Sequence, residues 1–466
     1  MRALLKNISL TEQVVKNTLK LAAAAIAVAA AYSSTANAAG FQLTEQSAGA
    51  MGRAYAGVGV DGTDLSGVYY NPATMVLHPG TQFQAGFVGI ALDLEYAGDD
   101  GSTENGRYKP QAIPHGYLTH QIDDSMWIGL GMTVPFGMGT EYDDNWTGAK
   151  RGISATVLTF DFNPNVAWKL SERFSFGAGI SVQYASADLR MQMLAKDSPA
   201  AQQGVAAILP SIPEQYREAV AQKLAALPLD SELDVDSWAW GWNLGFMWSP
   251  VENFRLGVSY RSSVNHNADG DLRVTPLENL SDAVEQFPQI GTLLGQLTGD
   301  LPGSASLSTP AWAMISTAWD VNSFMSLYTT FRWTDWSSFD ELKIESAGRN
   351  MATLVNKWKD TYLFSVGADF RMNDWWTFRT GVGYETSPID EPEYRTAIIP
   401  DANRWWFAAG SSFKVSKNLE LDVSAAWLRG TGERDLYAAQ EPGSQKIGKF
   451  DKLDAYLLGA QMQYKF

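Results

Sequence analysis

The chain has 466 residues, no cysteine and a formal net charge of −16 at pH 7. That acidity excludes a nucleic-acid surface, which needs clustered Lys and Arg, and the missing thiols exclude disulfides and thiolate metal sites as a source of cohesion. Hydrophobic residues make up 45%, with 17 Trp, 18 Tyr and 41 Gly, yet mean hydropathy is only −0.17; lipid-facing positions alternating with lumen-facing ones fit this mixture better than a soluble core does.

Residues 1–38 read as an export signal. Arg2, Lys6, Lys16 and Lys20 supply positive charge, Leu21 to Ala31 is an apolar run, and Ala36-Asn37-Ala38 is a small-x-small cleavage site, so the mature chain is expected to start at Ala39. Neither this run nor any later one approaches the roughly 18 uncharged apolar residues of a spanning helix. Residues 39–79 contain Gly40, Gly49, Gly52, Gly57, Gly59, Gly62 and Gly67 and cannot build a core alone. They are either a disordered leader or a plug inside a larger shell, and the plug is the reading adopted.

From residue 80 to 466 the chain alternates. Trp238, Trp240, Trp242, Leu244, Phe246 and Trp248 oppose Ala239, Gly241, Asn243 and Gly245. Phe174, Phe176, Ala178, Ile180, Val182 and Tyr184 oppose Ser175, Gly177, Gly179, Ser181 and Gln183. Period two places each set on one face of a strand, and aromatic residues at the segment ends suit interfacial girdles. Asp161, set between Phe160 and Phe162, belongs inside. Short turns such as Asn373-Asp374 and Ser416-Lys417-Asn418 alternate with longer connections. The pattern predicts an all-β transmembrane antiparallel barrel of about fourteen strands, an even number as such barrels prefer, ending in the strand Tyr456–Phe466.

Two long loops, at about 191–235 and 270–306, break the rhythm. In the first, Ser211-Ile212-Pro213-Glu214 resembles a capping box, and Leu209, Val220, Leu224 and Leu227 form an apolar stripe. In the second the stripe is Leu280, Val284, Phe287, Ile290 and Leu294, with Pro288 interrupting the helix. Such stripes are either packed helix faces or, because outer loops have little core to bury against, an exposed greasy groove. No enzyme is expected: His78, His115, His120 and His266 lie in no nucleophile-elbow context. No metal cluster, cofactor motif or nucleic-acid patch is apparent.

The ordered set Ala39-Gly40-Phe41-Gln42-Leu43, Gly52-Arg53-Ala54-Tyr55-Ala56-Gly57, Asn71-Pro72-Ala73, Val134-Pro135-Phe136-Gly137, Thr140-Glu141-Tyr142, Asn145-Trp146, Trp376 to Gly381 and Ile399-Pro400-Asp401 resembles the FadL family of outer-membrane long-chain fatty acid transporters. The resemblance implies a fourteen-stranded barrel with an amino-terminal hatch. It also implies a loop groove for first docking, a lumenal pocket, and passive sideways release through a gap in the wall. Carried over, Asn71, Pro72 and Ala73 lie beside the kinked third strand, and Phe41 reaches the pocket. Gly129, Gly131 and Pro135 suit a weakened ladder there. Strand parity points Arg332, Lys357 and Lys359 inward, where they would meet a ligand carboxylate or else pair with Asp335 or Asp369. Expected partners are long-chain fatty acids or other hydrophobic molecules, and outer-membrane lipid with lipopolysaccharide around a monomer. The alternatives are a hydrocarbon transporter of the same family and a general porin.

Overall fold

The computed structural model describes residues 40–106 and 111–466; the expected signal and its cleavage site lie outside them. Fourteen antiparallel strands close into a barrel. They are β1 (Thr81–Gly98), β2 (Gln111–Gln121), β3 (Met126–Thr133, resuming as Gly137–Glu141), β4 (Ser154–Ser171), β5 (Phe174–Leu194), β6 (Pro228–Val251) and β7 (Phe254–Arg261 and Val264–Pro276). Then come β8 (Gly299–Thr309 and Trp312–Asp320), β9 (Met325–Thr334 and Glu341–Ser346), β10 (Arg349–Val355 and Thr361–Arg371), β11 (Trp376–Glu385), β12 (Asn403–Lys414), β13 (Leu419–Thr431 with Asp435–Tyr437) and β14 (Lys446–Lys465). The sheet closes where β1 pairs with β14, from Gln82↔Lys465 to Gly98↔Gly448, so every inner strand finds two partners, as hydrocarbon requires.

The faces follow the alternation. Trp238 and Trp240 are 62% and 72% exposed, and Phe246 and Trp248 stand on the same outer face, whereas Asp161 and Asn243 are buried inside. Connections at one end are tight, at 122–125, 172–173, 252–253, 321–324, 372–375 and 415–418; those at the other end are long. The expected loop limits need correcting, since β5 runs on to Leu194, β6 starts at Pro228, β7 ends at Pro276 and β8 starts at Gly299. Cross-strand charge pairs hold these extensions as ribbons: Arg190 meets Asp230 at 2.8 Å, and Arg273 meets Asp300 at 2.8 Å.

Between the ribbons sit helices α1 (Pro199–Ile208), α2 (Glu214–Ala225), α3 (Ser281–Gln286) and α4 (Pro288–Leu297). Pro288 interrupts the second pair as expected, at the first turn of α4 where its missing N–H costs nothing. The capping box does not form: Pro213 occupies the cap of α2, and the Ser211 hydroxyl donates to the Ile208 carbonyl at 2.6 Å.

Candidate functional site

Residues 40–78 thread the lumen, buried almost throughout. A segment so rich in Gly and Ala is fixed by the wall rather than by a core of its own. The wall reaches it from many strands: Gln461 of β14 accepts from the Ala48 N–H at 2.8 Å, Thr330 of β9 from Gly57 at 2.9 Å, and Gln84 of β1 from Leu65 at 2.9 Å. Near the short-turn end Arg53 pairs with Asp61 of its own segment and with Asp369 of β10 at 2.9 Å. Arg379 of β11 continues the chain of charges to Asp422 of β13 at 2.9 Å. Backbone meets backbone here, because a Cβ on Gly381 would stand 2.2 Å from the Arg53 carbonyl oxygen.

The segment's first residues form the floor of a cavity. Gly40 has φ 63°, its N–H donates to Asp401 at 3.0 Å, and a Cβ would strike Trp336 and Trp358; glycine alone suits this turn. The Phe41 ring lies edge-on to Trp336, Phe339 and Phe136, with centroids at 4.8, 5.6 and 5.9 Å. Above it lies a cavity of about 60 Å³ whose walls include Val157, Leu189, Val235, Leu307 and Ile398.

Beside the same residues the wall opens. The ladder between β2 and β3 runs from Gln121↔Trp127 to Gly116↔Met132 and stops. β3 resumes at Gly137 paired with β4, and Pro135, lacking an N–H, sits in the interruption. The lumenal segment fills in from within. The Leu43 N–H donates to the Pro135 carbonyl, and the Gly137 N–H to that of Phe41, both at 2.8 Å. Gln46 clamps Val134 through a donor bond at 2.6 Å and an acceptor bond at 3.2 Å. An opening of about 410 Å³ faces outward here, lined by Phe83, Pro114, Gly116, Met132, Phe162 and Met462 among others. Glu45, next to Gln46 and wholly buried, has its carboxyl pushed up to about 7 by loss of water and by Glu385, against the lowering pull of its own backbone N–H, Arg404 and Arg332.

The structure redistributes the expected residues. Phe41 and Pro135 lie at the floor and the break. Gly129 and Gly131 do not, since both sit in the paired part of β3 and face Met75 and Val68 of the lumenal segment. Asn71, Pro72 and Ala73 also lie elsewhere: the Asn71 amide donates to Gly59 and Phe246 carbonyls, and Pro72 and Ala73 press on Gly177 of β5. Arg332 is inward, 4% exposed, but is taken by Glu385 at 3.0 Å and Thr44 at 2.9 Å. Lys357 and Lys359 are outside, bonded to Tyr394 at 2.7 Å and Asp390 at 2.8 Å. The parity read backward from Tyr362 fails because β10 is broken there and Lys357 takes φ 46°.

The loop stripes pack. Val220, Leu224, Leu227, Leu280, Phe287 and Ile290 are buried, and Leu209, Val284 and Leu294 are half-buried at the edge of one apolar cluster that extends down to Phe41. Tyr216 lies tilted against Phe287, centroids 5.6 Å apart, and stays exposed. Sequence reasoning missed Gln46 and Asn356, a cavity-lining residue. Val134, which Gln46 clamps, is remote in the chain, and no local pattern marks either residue.

The family described as outer membrane protein transport protein (OMPP1/FadL/TodX) matches residues 29–466. The chain belongs to this family. It is 30% identical over 457 residues to the long-chain fatty acid transport protein of Escherichia coli strain K12, covering 95% of this chain and 98% of the relative. With outer membrane protein P1 of Haemophilus influenzae it shares 27% over 418 residues, 85% and 87% of the two chains. In fold it resembles a Pseudomonas aeruginosa FadL homologue (TM-score 0.79, 23% identity, 92% and 100% covered) and the Pseudomonas putida toluene transporter TodX (0.63, 17%, 87% and 94%). The protein is thus an outer-membrane barrel of a transporter family, and no described helix is long and apolar enough to span a membrane.

Proposed function

We propose that the protein carries long-chain fatty acids or similar hydrophobic molecules passively across the outer membrane. The ligand lands at the half-buried edge of the loop helices, at Leu209, Val284 and Leu294, passes to the cavity above Phe41, and leaves sideways between β2 and β3. The observation that carries this reading is the adjacency of cavity and opening through one short segment: Phe41 floors the first, and Leu43 and Gln46 fill the inner side of the second.

The cavity has room for roughly four to six water-sized groups, so a long chain must displace the Phe41 ring. Moving Phe41 pulls on its hydrogen bond to Gly137 and hence on the edge of the opening. A lateral exit is favoured energetically, because each methylene that moves into hydrocarbon gains about 0.8 kcal/mol. Residues 53–78, held by the Arg53 network, stay as a plug against water, a feature a general porin would not need.

A hydrocarbon cargo is the second reading, favoured by one observation: among the described residues the cavity lining contains no Lys or Arg. The test is complementation of a Gram-negative strain that has lost its own long-chain fatty acid uptake. Restored growth on a fatty acid as sole carbon source supports the proposal. Passage of small sugars without such growth would make the protein a porin.

A further inference from the structure

Of the deeply buried polar side chains that line the cavity, the protein leaves one unused. Asn356, directly after the first part of β10, is 3% exposed and lines the cavity, and its carboxamide has no hydrogen-bond partner among the described residues. The other deeply buried polar liners, His266 and Thr396, are engaged. His266 bonds Ser237 at 2.9 Å and Gln183 at 3.0 Å through its two ring nitrogens, and the Thr396 hydroxyl accepts from the Ile399 N–H at 3.2 Å. A buried amide with neither donor nor acceptor used is unfavourable unless something enters to meet it.

The local chain fixes this orientation. The backbone N–H groups of Asn356 and Lys357 both donate to the Asp340 carbonyl, at 2.8 and 3.0 Å. With Lys357 at φ 46°, consecutive side chains part company, Asn356 toward the cavity and Lys357 out to Tyr394. The other nearby cations are turned away as well: Lys359 to Asp390, Arg395 to the carbonyls of Asp401, Glu433 and Asp435, and Arg332 to Glu385. Among the described residues the lining includes no cation; its one acid, Asp188, shares the outward parity of Tyr184 and Arg190 on β5.

We infer that the cavity binds the polar end of its ligand through uncharged hydrogen bonds centred on Asn356, and so takes long-chain amphiphiles whose polar end is neutral: alcohols, or acids in their undissociated form. This rests on the cavity being the ligand pocket of the transport reading. A carboxamide offers one donor and one acceptor side by side, which pair with a hydroxyl or with an undissociated carboxyl group. An ionised head would be stripped of water with no cation among the described lining residues to meet it, which is strongly unfavourable.

The test is competition binding to the full-length protein in a non-ionic detergent, with three probes of equal chain length: hexadecane, hexadecanol and hexadecyl sulfonate, which cannot be neutralised by protonation. The native protein should rank the alcohol first and the sulfonate last. Asn356→Leu should weaken the alcohol about three- to tenfold, the range of one neutral hydrogen bond, and leave the alkane unchanged, so that partitioning into micelles cancels in the ratio; Asn356→Ser should restore part of the loss. Equal weakening of alcohol and alkane overturns the inference, because Asn356 then acts by shape alone. So does a sulfonate that binds as tightly as the alcohol, and that ranking needs only the native protein should the variants not fold. If none of the three binds, the cavity is not the pocket, and the transport reading falls along with this inference.

Discussion

Replacing Arg53 by alanine separates two ways in which the lumenal segment could be held: by many weak contacts, or by one buried charge network. Arg53 is fully buried, pairs with Asp61 and Asp369, and lies over the Tyr328 ring with its guanidinium carbon 4.1 Å from the centroid. Removing one partner of a buried pair costs about 3–5 kcal/mol, because the charge left behind stays desolvated. Here the cost falls toward the lower end. Asp369 retains Arg379 at 3.6 Å, and Asp61 keeps the Thr63 N–H and hydroxyl, both at 2.8 Å. Roughly 3 kcal/mol corresponds to about a hundredfold rise in the undocked population. Hydrogen exchange read by mass spectrometry on peptides from residues 47–66 measures it, with peptides of β5 and β6 as the internal reference. The expected result is exchange about a hundredfold faster in the segment alone. Unchanged exchange would show that the network does not hold the segment, and parallel acceleration of β5 and β6 would show that segment and barrel are one cooperative unit.

Glu45→Gln should abolish a pH dependence of the same segment. Because burial raises the folded carboxyl from its ordinary 4.5 to about 7, docking of residues 40–46 is strongest below pH 4.5. It weakens as pH rises through 7, by roughly 3 kcal/mol in all; the variant should exchange at one rate from pH 5 to 8 after correction for intrinsic chemistry, and a retained slope would assign it to another group. Gly381→Ala, which forces a Cβ onto the Arg53 carbonyl, should destabilise docking by about 1–3 kcal/mol, read by the same exchange; a neutral result would mean that β11 shifts to make room. Changing Phe287 and Leu294 together to Ser should raise the ligand concentration needed for half-maximal uptake if the loop edge is the landing site, and uptake unchanged in a folded barrel would leave those helices as packing alone.

Much of the barrel was legible because lipid enforces period two without exception on strands such as β6, where every outward residue from Trp238 to Trp248 is apolar. The positive-φ turn at Lys357 gave no such signal, and parity carried backward from Tyr362 sent two lysines to the wrong side. The break in the wall was misplaced for a related reason. Gly129 and Gly131 looked like weakness in a ladder, whereas their missing side chains make room for Met75 and Val68, and the interruption lies at Pro135, where Gln46 substitutes for a neighbouring strand. Contacts between Gln46 and Val134, 88 residues apart, leave no local trace. Asn356 was invisible for the opposite reason: a lone Asn near a strand end reads as ordinary turn chemistry.

The central claim, sideways release between β2 and β3, is tested most directly at Gly116. It lies on the outer lip of the opening, and a Cβ there would meet only the Met132 methyl at 3.6 Å and the Gln84 carbonyl at 3.8 Å, so a bulky group can be introduced without forcing the backbone. Gly116→Trp should cut uptake of a long-chain fatty acid at least about tenfold, an exit barrier higher by roughly 1.4 kcal/mol, while binding to the purified protein stays as in the native chain. Native uptake by the folded variant would mean that the ligand leaves by another route.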